Sequence, residues 1–232
     1  NPPVKPVQHY LLRFHLHATS ISFNPFASDR YFIRFAMVPD FPDFYTNANS
    51  LMEILHMDYP VLVVPGIGNS GPTHWQSIWQ TTQPHWHRLQ VDDWDRVDCD
   101  DWVSAIERQM ALLGKEAVIV AHSLGCLAVV HWAARHAPRI RGALLVAVPD
   151  PAASAFPITA ASGFSPLPRE RLPFPTTVVA SANDPYGTVD HARTCAAAWG
   201  SELAEVGARG HINSASGLGD WPEGYRLLEK IG

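Results

Sequence analysis

Residues 117–132, AVIVAHSLGCLAVVHW, constrain the fold of this chain more than any other stretch. Val118, Ile119 and Val120 form a short β-branched run that reads as a buried strand. Residues 121–125 read as a tight turn centred on Ser123, and an apolar helix follows from Cys126 to Trp132. A sharp strand-to-helix turn pushes the central hydroxyl out at the top of a sheet. Small residues two before and two after it let strand and helix pack closely. Gly125 is in place; Ala121 stands where glycine is usual and adds one methyl. The bland alternative is a small polar residue in an ordinary turn. The placement between strand and helix favours Ser123 as a nucleophile.

A serine nucleophile of this kind needs an acid and a histidine later in the chain, in that order. Residues 176–181 read as a strand that runs into Asp184, and Pro185 stops further pairing. Carboxyl ends of parallel strands are where open α/β sheets gather reactive groups. A shorter strand, residues 202–206, leads into a loop in which Gly207 and Gly210 precede His211. The chain holds twelve histidines. His122 is expected to point away from Ser123, His131 and His136 fall on the helix behind the turn, and His191 begins another helix. Only His211 follows the last strand. The acid stays open at this point, because Asp150 also ends a strand.

Developing negative charge on a substrate oxygen needs two backbone N–H donors. Leu124, after the nucleophile, supplies one. Ile67 supplies the other, on the loop of residues 66–72 after the first strand (61–64), where Gly66 and Gly68 leave its peptide free to turn. His74 and Trp75 are expected to close this loop structurally. Thr73 reads as the cap of a helix over 74–80, and residues 88–91 as a short strand. Asp100 or Asp101 reads as the cap of a helix ended by Gly114. Residues 142–148 form a strand ended by Pro149; helices follow at 189–199 and 225–231. Strands alternating with helices imply an α/β fold: one mainly parallel sheet covered by helices on both faces.

Several segments together resemble a known family. They are Val63-Val64-Pro65-Gly66, His74-Trp75, residues 121–126, Asn183-Asp184-Pro185-Tyr186, Gly210-His211-Ile212-Asn213 and residues 217–222. In this order they are similar to the small serine hydrolases that include retinoblastoma-binding protein nine and related bacterial hydrolases. The resemblance covers about residues 59–231. It implies an α/β-hydrolase fold, a triad of Ser123, Asp184 and His211, and no cofactor. It also favours Asp184 over Asp150.

Net charge is −5, from 17 basic and 22 acidic residues, so neither nucleic acid nor an anionic membrane is the expected partner. The expected partner is a small-molecule substrate; no protein partner is indicated. Cys99, Cys126 and Cys195 read as free thiols of a cytoplasmic protein rather than a disulfide framework. His85-Trp86-His87 lacks a third metal ligand, and the six acids between Asp92 and Asp101 read as a solvated loop before a helix. No metal is expected. Residues 150–175, rich in Pro, Ala and Ser, form a short lid in which Phe156 and Phe164 are the expected substrate contacts. A short lid points to short acyl groups.

Residues 1–56 differ in kind: they hold no Gly, Trp or Cys, yet seven of the ten Phe. They read as a poorly ordered or non-native extension before a hydrolase domain over 57–232, with Met57 as the working start. The expected function is hydrolysis of a small ester, thioester or amide. The alternative is a binding or regulatory protein on the same scaffold, which would have no need of all three triad residues.

Overall fold

A computed structural model describes residues 59–83 and 85–231, together with three short strands upstream. Those strands, β1 (Tyr10–Leu12), β2 (Thr19–Ile21) and β3 (Ile33–Arg34), form an antiparallel sheet in the order β1-β2-β3. They belong to a unit of their own, Asn1–Leu55, distinct from His56–Gly232. Apart from them, the expected extension over 1–56 lies outside the described residues.

In the second unit, short apolar runs become a parallel sheet. Its strands are β4 (Val61–Val64), β5 (His87–Arg88), β7 (Val118–His122), β8 (Gly142–Val146), β10 (Thr176–Ala180) and β11 (Glu202–Glu205). Their order is β5-β4-β7-β8-β10-β11, and every pairing is parallel. A second, two-stranded pair joins β6 (Val97–Asp98) to β9 (Ala161–Ser162).

The central strands β4, β7, β8 and β10 are buried at every position and mostly apolar because both faces are covered. Val61, Val63, Val118, Val120, Leu144 and Val146 point to one side, against α1 (Trp75–Thr82) and α5 (Pro222–Glu229). Trp75, Trp79 and Trp221 fill that layer. Leu62, Val64, Ile119, Ala121, Ala143 and Leu145 point to the other side, against α2 (Cys99–Leu113), α3 (Leu124–His136) and α4 (Val189–Trp199). The α/β architecture expected from the alternation is the one observed.

Local boundaries differ from the sequence reading. His74, not Thr73, caps α1: its backbone is extended and its Nδ1 accepts from the Gln76 N–H at 3.2 Å. Asp98, not Asp100 or Asp101, caps α2, accepting from the Asp100 N–H at 2.9 Å. The two later aspartates fall in the first turn, near the positive end of the helix. The strand expected over 88–91 is His87–Arg88, and α5 begins earlier than expected, at Pro222. β8 stops at Val146 because Ala147 adopts a φ of 56°.

Strand β4 enters in the middle of the sheet. The chain goes first to β5 on one side and then to β7 on the other. The carboxyl ends of β4 and β7 therefore flank the point where strand order reverses, the crevice at which open α/β sheets bind ligands.

Candidate active site

Strand β4 runs out into Pro65, Gly66 and Ile67, and β7 runs out into Ser123. The two meet closely. A Cβ on Gly66 would lie 2.9 Å from the Ser123 Cβ, so only glycine lets this loop pass the serine. Gly125 has the matching role for the helix, since a Cβ there would lie 2.4 Å from the Pro65 carbonyl oxygen. Ser123 itself has φ 54° and ψ −126°, outside the ordinary regions for a non-glycine residue. The surroundings hold this conformation. The Ser123 N–H donates to Val146 O at 2.9 Å, and Ser123 O accepts from the Cys126 N–H at 2.9 Å.

Three strand ends bring their side chains into one line. Ser123 Oγ lies 2.8 Å from His211 Nε2. His211 Nδ1 lies 2.9 Å from each Asp184 carboxylate oxygen. With the proton on Nδ1, the ring donates to the carboxylate and leaves Nε2 to accept from the serine hydroxyl. The Asp184 side chain is 2% exposed, and its Oδ1 also accepts from the Tyr186 N–H at 2.9 Å. Asp150, the rival acid, is elsewhere: its Oδ2 lies 3.7 Å from His191 Nδ1.

The loops carrying Asp184 and His211 are stitched to each other. Asn183 Oδ1 accepts from the Gly210 N–H at 2.7 Å, and Ser181 Oγ accepts from the Arg209 N–H at 2.9 Å. Trp75 Nε1 donates to Ile212 O at 2.8 Å from the core side. His122 is buried and makes no hydrogen bond to Ser123; its Nε2–H donates to His211 O at 2.9 Å. Its ring lies 4.9 Å from that of His211 and 4.7 Å from that of His74. Burial, with His74 and His211 as like neighbours, holds the His122 imidazole well below its ordinary range and therefore neutral. The sequence reading placed His74 in a structural role but missed this contact between His122 and the His211 loop.

Ile67 follows Gly66, which lies against Ser123, and Leu124 follows Ser123 directly. Leu124 is the first residue of α3, where the N–H has no intrahelical acceptor. Among the described residues, neither the Ile67 nor the Leu124 N–H has a hydrogen-bond partner. The loop bearing Ile67 is held by groups that the sequence reading did not single out. The Gly68 N–H donates to Trp94 O at 2.8 Å. Arg88 donates to Asn69 Oδ1, Ser70 O, Ser77 Oγ and Gln80 Oε1, all within 2.7–2.9 Å. Gln76, fully buried, accepts from Ser70 Oγ at 2.6 Å and donates to Val120 O at 3.0 Å. These bonds tie loop, helix and strand β7 together. No sequence pattern announces them.

Phe164 is a correction. It is fully buried, edge-on to His131 at 5.9 Å, and its carbonyl accepts from His131 Nε2 at 3.2 Å. The core holds it, and no face is left for a substrate. Phe156 is half-buried at the edge of the same apolar layer. Among the described residues, no three His, Cys, Asp or Glu side chains could hold a metal ion. Nor is any described helix long and apolar enough to cross a membrane.

The chain is similar in sequence and fold to known proteins. Residues 61–230 match the family model described as serine hydrolase. A structure described as a YdeN-like hydrolase from Pectobacterium atrosepticum is 34% identical, with TM-score 0.68 over 78% of this chain and 94% of that one. The ydeN product of B. subtilis is 20% identical, with TM-score 0.57 over 75% and 98%. RedJ thioesterase of Streptomyces coelicolor, at 15% identity and TM-score 0.51 over 77% and 92%, shares the fold. None of the curated proteins matches the sequence.

Proposed function

We propose, because this chain belongs to the serine hydrolase family, that it cleaves a small carboxylic ester, thioester or amide through an acyl-enzyme. Ser123 Oγ attacks the carbonyl carbon while its proton passes to His211 Nε2. Asp184 holds the imidazole in the right tautomer and stabilises the imidazolium. The N–H groups of Ile67 and Leu124 take the developing oxyanion. The carbon–leaving-group bond then breaks, and His211 gives its proton to the departing atom. Water, deprotonated by His211, attacks the acyl-enzyme; the acid leaves and Ser123 regains its hydrogen.

The observation that carries this reading is the hydrogen-bonded line from Ser123 through His211 to Asp184. A protein that only binds has no use for it. The short covering segment over 150–175 supports small acyl groups. Three buried free thiols, Cys99, Cys126 and Cys195, support a reducing compartment, the cytoplasm.

Intact-mass analysis after treatment with a fluorophosphonate tests the reading. One adduct is expected, on Ser123, and Ser123→Ala should lose both the adduct and ester turnover. An active chain that never takes up the label, or a Ser123→Ala variant with undiminished rate, would overturn it.

A further inference from the structure

His211 has two aromatic neighbours of opposite kind. His122, 4% exposed, belongs to the interior. Tyr186 packs its ring 4.6 Å from the imidazole at 62° and is 38% exposed. Among the described residues only Leu112, Ile158 and Tyr186 are large apolar side chains left open to solvent, and of these only Tyr186 touches the site. Its ring is open while its backbone is locked. The Tyr186 N–H donates to Asp184 Oδ1 at 2.9 Å, and Tyr186 O accepts from the Asp150 N–H at 2.8 Å.

The chemistry assigns a place to such a ring. His211 Nε2 must come within about 3 Å of the leaving atom to protonate it. A leaving group seated at Nε2 comes close to what packs against the imidazole, and of the exposed large apolar side chains among the described residues only the Tyr186 ring does so. A rigidly mounted aromatic face favours a flat apolar partner, offset-stacked or edge-on. The acyl part of the substrate, bonded to Ser123 and directed to Ile67 and Leu124, does not depend on this ring.

We infer that Tyr186 forms the wall of the leaving-group site, and that the preferred substrates are esters or amides with a planar aromatic leaving group. The inference rests on the hydrolase reading above and adds the substrate class to it. In the step concerned, Ser123 Oγ bonds to the acyl carbon, the bond to the aryl oxygen or nitrogen breaks, and that atom receives the His211 proton.

Two butanoate esters separate the two halves of the substrate: phenyl butanoate and 2,2,2-trifluoroethyl butanoate. Both give the same butanoyl-enzyme, so any difference between them reports acylation and the leaving-group site. A ring-on-ring contact is worth about three- to tenfold in kcat/KM. In Tyr186→Ala the phenyl-to-trifluoroethyl ratio of kcat/KM should fall by that factor; Tyr186→Phe should restore it and Tyr186→Leu should not. A ratio taken on one sample does not depend on the fraction of folded enzyme. An unchanged ratio in Tyr186→Ala overturns the role of Tyr186 while the hydrolase reading stands. A wild-type chain that labels at Ser123 yet hydrolyses neither ester overturns the substrate class. A wild-type chain that takes no label overturns both readings.

Discussion

Asp184 and Asp150 end neighbouring strands and carry the same functional group, so their surroundings must separate them. Asp184 is almost fully buried, accepts from the Tyr186 N–H and faces His211 Nδ1 with both oxygens. Asp150 is 33% exposed, accepts from the Ala152 N–H and faces His191. Asparagine keeps the size of aspartate but cannot stabilise an imidazolium. Asp184→Asn should therefore lower kcat on an ester substrate by about 10⁴-fold. Asp150→Asn should cost little, with both variants melting near the parent temperature. The opposite ranking would move the acid to the earlier strand. At this scale the sequence singled out Ser123 and His211 as candidates through local context alone, one in a strand-to-helix turn and the other after the last strand. Local context could not rank two aspartates that both follow strands, and only the family resemblance favoured Asp184, because the deciding fact is which loop faces His211. Phe164 shows the same blindness. An aromatic in a Pro- and Ser-rich segment looks available to a substrate, but the chain folds it back onto His131.

Helix α1 is capped by His74, and the cap links helix formation to pH. Burial first, then the charges of Arg88 and His211, push the His74 imidazole from its ordinary 6.5 down to about 4. The folded chain thus holds His74 neutral with Nδ1 accepting from Gln76, while the unfolded chain takes up a proton near 6.5. Between those values the unfolded state binds more protons, so stability is lost as pH falls from about 6.5 to about 4. The loss from this group is on the order of 3 kcal/mol. His122, buried beside it, contributes with the same sign. Asparagine is a good cap that cannot be protonated. The melting temperature of His74→Asn should therefore fall less steeply than that of the parent over this pH window. Parallel acid limbs in the two proteins would refute the role of His74. Caps were the least legible elements in the sequence. Thr73 and Asp100 have the right chemistry, but capping depends on which single residue takes an extended backbone, and that is fixed by how the helix docks. β5 and β9 were blurred or missed for a related reason: each is two residues long and exists only through a distant parallel partner.

For the whole molecule, the apolar runs predicted a parallel sheet, whereas strand order came only from the structure. Nothing in residues 61–64 or 118–122 says that they are neighbours, yet that pairing places Gly66 against Ser123. The same scale bears on residues 1–56. Among the described residues of the second unit, side chains pack on both faces of the six-stranded sheet, with α1 and α5 on one side and α2, α3 and α4 on the other. The family match likewise runs over residues 61–230. A chain beginning at Met57 should therefore keep the melting temperature and ester turnover of the full chain, as a segment that adds little apolar burial to a core adds little stability. Seven phenylalanines upstream argue the other way, since that much aromatic surface seeks a partner. Differential scanning calorimetry of the two chains decides between these arguments. Equal melting temperatures and equal rates would leave the hydrolase domain self-sufficient. A drop of several degrees, or aggregation on truncation, would show that the aromatic residues of the first unit complete the stability of the second.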